Sequence, residues 1–106
     1  MKVTVYHSTA RGSRFMPWSR DAPMSRVDEF VLPAEQFPEP SDDALEHVFR
    51  VHNAVDGTER NVRLGIRSLS VGDVVQLDER AFAVDPVGWA EIAPGDLNVM
   101  EFTDEQ

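Results

Sequence analysis

The chain contains no cysteine, which excludes disulfides, thiol catalysis and zinc sites built on cysteine. It also lacks any apolar run near the ~20 residues a membrane helix needs. The first residues, MKVTVYHSTARG, have no apolar core of the kind a signal peptide carries. These absences lead us to expect a soluble, cytoplasmic protein with no membrane contact. Glycine is sparse: the six are scattered and none falls in a Gly-x-x-x-x-Gly-Lys phosphate loop. Bases are few as well, and the net charge is −9. Residues 28–46 carry seven acids (Asp28, Glu29, Glu35, Glu39, Asp42, Asp43, Glu46) and no base. Residues 85–106 carry six more and again no base. Duplex nucleic acid demands a basic footprint, so direct nucleic-acid binding is not expected. Acidity instead suits solubility or attraction of a basic partner.

What is present fits one small domain. The 106 residues allow one modest core, and 42% hydrophobic with 27% charged content is ordinary for a globular chain. KVTVYH (2–7) alternates with period two, as a strand does. Residues 8–25 read as a long loop that carries Phe15, Met16 and Trp18, costly to leave in water. RVDEFVL (26–32) alternates again and stops at Pro33. PAEQFPEPS is too rich in proline for a helix.

At Ser41 the pattern changes. Ser41 can cap, Asp42 and Asp43 complement the positive helix end, and Ala44, Leu45, Val48, Phe49 and His52 recur on one face. This spacing predicts the main helix over 41–53, ended by Asn53 and Gly57. Residues 57–68 read as irregular. VVQL (74–77) and AFAVD (81–85) form a predicted hairpin around Asp78-Glu79-Arg80, with further strands near 89–92 and 97–102. The expectation is a single α+β domain, a mostly antiparallel sheet of about five strands with one main helix. Residues 1–40 supply a strand, a long loop and a second strand, and 93–106 form an acidic end.

His47 and His52 are five apart, not the four that helical metal pairs prefer, and no third ligand has a fixed spacing, so no metal or other cofactor is expected. Ser68 and Ser70 bracket Leu69 outside any Gly-x-Ser-x-Gly elbow. They read as turn hydroxyls, with Leu69 and Val71 entering the core. Gly72 and Asp73 form the turn proper, and Asp73 and Asp85, which border the hairpin, are each expected to satisfy backbone amides. On that reading Asp73→Ala costs on the order of 1 kcal/mol. No catalytic residue is identified.

Three ordered segments remain: ALEHVFRVHN (44–53), RSLSVGDVV (67–75) and the stretch from Ala83 to Trp89. They resemble the YodL-like domain family. The matching residues are Leu45, Glu46, Phe49 and Asn53; Ser68, Leu69, Ser70, Val71, Asp73, Val74 and Val75; and Val84, Asp85, Gly88 and Trp89, where the family usually has Phe. Residues 41–92 form the YodL-like part. The resemblance implies a small protein of phages, plasmids or conjugative elements and carries no established reaction and no catalytic residues. The first reading is therefore a non-enzymatic accessory protein that binds a host protein. Its candidate contacts are Phe15, Trp18, Asp42, Asp43 and Glu46. The second is an acidic nucleic-acid mimic that inhibits a DNA-handling protein, in the manner of antirestriction proteins. An enzyme of unrecognised type is the third. It requires His7, His47 or His52 to share a pocket with Asp73 or Asp85.

Overall fold

The computed structural model describes residues 1–9, 16–20, 22–53 and 60–100. Phe15, Gly57 and the acidic residues beyond 100 lie outside that set. Six strands form one sheet: β1 (Lys2–Ser8), β2 (Pro23–Val31), β3 (Val74–Leu77), β4 (Arg80–Val84), β5 (Trp89–Ile92) and β6 (Asn98–Val99). Their spatial order is β5-β4-β3-β1-β2-β6. Every pairing is antiparallel except the short β2–β6 contact. The α+β expectation holds, with six strands rather than about five and one long helix, α1 (Asp42–His52).

β1 sits between β2 and β3, so both of its edges are paired, and side chains from both of its faces are buried. Val3 and Val5 join Leu45, Val48, Val75, Leu77 and Phe82 under α1. Tyr6 joins Met24, Val74, Ala81 and Ala83 on the opposite face. That second face is covered by Trp18, Ala22, Leu97 and Val99 instead of a helix. Trp18 is half-buried there, so the long loop folds back onto the sheet at this point.

The helix forms where its signals place it. Ser41 is extended, and its Oγ accepts from the Ala44 amide at 3.2 Å. Asn53 ends the helix, donating its backbone N–H to the Arg50 carbonyl. The hairpin turn is Asp78-Glu79 alone, with Arg80 already the first residue of β4. Asp78 takes a left-handed φ of 54°, which aspartate tolerates better than most residues.

Three local expectations change. β2 begins at Pro23, not Arg26, because Ser25 and Met24 continue the ladder against His7 and Ser8 past an irregularity at Val5/Tyr6. The stretch read as irregular contains a short helix, α2 (Arg60–Leu64). Val71 is half-buried at the surface, whereas Leu69 does enter the core. Among the described residues no helix is long and apolar enough to cross a membrane.

Candidate functional site

The segment Arg67–Asp73 is organised around one carboxylate. Asp73 is fully buried. Its Oδ1 accepts from the Ser8 amide at 2.8 Å and from Arg67 at 2.8 Å. Its Oδ2 accepts from Arg67 at 2.6 Å, from the Ser70 amide at 2.9 Å and from Ser70 Oγ at 3.4 Å. Arg67 also donates to the carbonyls of Ser8 and Ser68 and to Ser70 Oγ. The Ser70–Asp73 turn is closed by the Asp73 amide on the Ser70 carbonyl. Gly72 has φ 95°, and a Cβ there would lie 2.5 Å from the Met16 carbonyl oxygen. Glycine is therefore required twice, by the turn and by the loop backbone pressed against it.

This latch ties the three motif segments together. Asn53, at the end of α1, makes a reciprocal pair with Leu69. Its Oδ1 accepts from the Leu69 amide at 2.9 Å, and its Nδ2 donates to the Leu69 carbonyl at 3.3 Å. The Gly72 amide donates to the Val84 carbonyl, and the Val84 amide donates to the Asp73 carbonyl. Asp85 donates its backbone N–H to the Gly88 carbonyl, and Gly88 takes φ 77°. Phe49 and Trp89 then meet edge-on, with ring centroids 6.3 Å apart.

Between these segments lies an open cleft of about 340 Å³. Glu46 and Phe49 line it from α1, Ser70 and Val71 from the turn, and Val84, Asp85, Pro86, Gly88 and Trp89 from the β4–β5 connection. Trp89 Nε1 donates to Glu46 Oε2 at 3.3 Å, which leaves the other Glu46 oxygen without a partner among the described residues. Asp85 corrects the expectation of a turn-capping carboxylate. The turn is closed by its backbone and by the positive φ of Gly88, so its side chain has no bond to make among the described residues. Among the described residues no Lys, Arg or His lines the cleft. Val87, between the lining residues Pro86 and Gly88, is 92% exposed.

A second buried carboxylate lies under α1. Asp28 accepts from Arg60 at 2.6 and 2.8 Å and contacts His52 Nε2 at 2.8 Å. Burial pushes the Asp28 carboxyl upward, but the Arg60 and His52 hydrogen bonds outweigh it and hold it below the usual carboxylate value. Burial lowers His52 against the pull of Asp28, so this imidazole is neutral and donates from Nε2. Its Nδ1 is buried without a partner among the described residues. Arg60 lies 4.6 Å from the Phe30 ring centroid.

His7 is buried, and burial drives it down to about 4, with the nearby Asp73 opposing and Arg67 and His52 assisting. His7 and His52 are thus interior, and His47 is half-buried against the Phe37 ring. None of the three lines the cleft that Asp85 borders. Phe15 lies outside the described residues, and of the other candidate contact residues the fold brings only Glu46 to this cleft. Asp42 and Asp43 are exposed at the start of α1, and Trp18 packs on the opposite face of the sheet. Ser68 is exposed beside the latch. Sequence reasoning missed Arg67 and Arg60 as the clamps of Asp73 and Asp28, and the only signal was their basicity in an acidic chain. It also missed Phe49 as a cleft wall, reading it as core. Compared with protein-family models, curated proteins and solved structures, the chain matches none.

Proposed function

We propose that this domain is a non-enzymatic interaction module. On this reading it is an accessory protein of a phage or other mobile element that works in the host cytoplasm and modulates a host protein. It docks that protein at the cleft between Glu46 and Trp89. One observation carries the reading: the three motif segments, separated in sequence, converge on a single open concavity with aromatic walls and unspent carboxylates. Interfaces concentrate their energy in such aromatic-lined recesses. Two features support a binding role over catalysis. The buried carboxylates Asp73 and Asp28 are consumed by their own guanidinium partners, and Ser70 Oγ is already held by Arg67 and by the saturated Asp73 carboxylate. The charge of −9 favours a basic partner over nucleic acid. The YodL-like resemblance, which rests on these same residues, points to mobile elements and so to a host target.

The test is affinity capture from lysate of the host organism at low and high salt, with the domain and its Val87→Arg variant as baits. Val87 is exposed and lies between the cleft-lining Pro86 and Gly88, so the variant keeps the fold while setting a charge that repels a basic partner beside the cleft. A protein held by the parent and released by the variant is expected. Equal capture by both baits would exclude the cleft as the docking site.

A further inference from the structure

We infer that the cleft is a recognition site for an arginine side chain of the partner, an assignment that rests on the interaction reading above. The fold itself shows the chemistry twice. Arg60 lies over Phe30 at 4.6 Å and forks onto Asp28. Arg80 lies over Phe82 at 5.2 Å and forks onto Glu91, at 2.8 Å for both bonds. Each time an aromatic ring and a carboxylate together hold a guanidinium. The cleft repeats that set, with Trp89 and Phe49 as rings and Glu46 and Asp85 as carboxylates, and among the described residues no cation lines it. The Trp89 indole steadies one oxygen of Glu46 by hydrogen bond and leaves the other available. The Asp85 carboxylate is held by the turn backbone with nothing to bond among the described residues. A volume of about 340 Å³ suits one long side chain entering from a docked segment, not a folded element.

Arginine fits these walls better than lysine. A guanidinium is planar and weakly hydrated, stacks on rings and offers a fork of donors to more than one carboxylate, whereas an ammonium is compact and strongly hydrated. Phosphate-bearing ligands are disfavoured by the two carboxylates.

The experiment follows the Trp89 indole N–H in ¹H–¹⁵N spectra, assigned by its disappearance in Trp89→Phe. The full chain is titrated with acetyl-Gly-Arg-Gly-amide and with the matching lysine and citrulline peptides. The arginine peptide is expected to shift that resonance saturably, with binding that weakens as salt rises. The citrulline peptide, isosteric but neutral, should bind about tenfold more weakly or worse, the factor one charge-assisted hydrogen bond carries. The double variant Glu46→Gln, Asp85→Asn should lose arginine binding by a similar factor while keeping its remaining spectrum. Equal affinity for citrulline, equal affinity for lysine, or no shift by any peptide overturns the inference. A captured host protein that is released by Val87→Arg but retained by the double variant would overturn the arginine assignment and leave the interaction reading standing.

Discussion

Asp73 and Asp85 flank the same hairpin and look alike in sequence, yet the fold treats them in opposite ways. Asp73 is fully buried and accepts five hydrogen bonds from Arg67, Ser70 and Ser8. Asp85 lies on the cleft rim with a carboxylate that bonds nothing among the described residues, because a turn closed through Gly88 needs only its backbone. The difference separates the two uses of a charged group. A buried one is tolerable only when its partners are complete, and once complete it has nothing left to offer a ligand. A rim carboxylate adds little to folding and keeps its bonding capacity for a partner.

The largest effect that would break this contrast concerns Asp73. Asp73→Ala leaves Arg67 and two backbone amides without their acceptor, and the expected loss is about 3–5 kcal/mol in urea denaturation. That is well above the cost of a simple turn residue. A loss near 1 kcal/mol would return Asp73 to the ordinary turn role that its sequence context suggests.

The next effect concerns a polar group that is buried with incomplete partners. His7 is held neutral in the fold and pushed down to about 4, against about 6.5 when unfolded. Between those values the unfolded chain binds more protons, so the His7 contribution is intact above pH 6.5 and is lost as pH falls towards 4. His52 shifts in the same direction, and below that range protonation of Asp28 adds a further loss. Stability should fall by on the order of 3 kcal/mol through the His7 window, and His7→Gln should flatten the curve there. A pH-independent urea midpoint from 7 to 4.5 would refute the burial argument.

A smaller effect sharpens the role of the latch in placing the loop. Gly72→Ala must accept a left-handed φ and a Cβ against the Met16 carbonyl, at an expected cost of about 2 kcal/mol. Thermal melting together with proteolysis near Met16 would detect both the lost stability and the released loop. The smallest effect is the other half of the contrast. Asp85→Asn should change stability by less than about 0.5 kcal/mol. A large destabilisation would mean that its carboxylate is structural after all.

Much of the architecture was legible because it rests on local rules. Ser41, two acids and an apolar stripe announced α1, and the alternation in KVTVYH and VVQL announced two central strands. The failures were also local in kind. Pro23 begins β2 inside a stretch that reads as loop, since pairing with Ser8 and His7 outweighs composition. α2 is too short for a 3.6-residue period to show. Phe49 lies one position from Val48 and does pack against the core, but it is only half-buried there and also walls the cleft beside Trp89. Of the site, Glu46, Ser70, Asp85, Gly88 and Trp89 were visible as motif residues, without any sign that they share a cleft.

The sequence by itself determined α1 and its cap, the central strands, the hairpin and the acidic character, because each depends on residues within a turn or two of one another. Only the tertiary structure decided which charges are spent. Arg60 reaches Asp28 across 32 positions, and the Ser8 amide reaches Asp73 across 65. Such pairings depend on strand order and on where a helix crosses the sheet, and no spacing rule encodes them. The same packing that saturates Asp73 leaves Asp85 and one oxygen of Glu46 without a partner among the described residues, beside two aromatic rings, and that is what makes the cleft a candidate site.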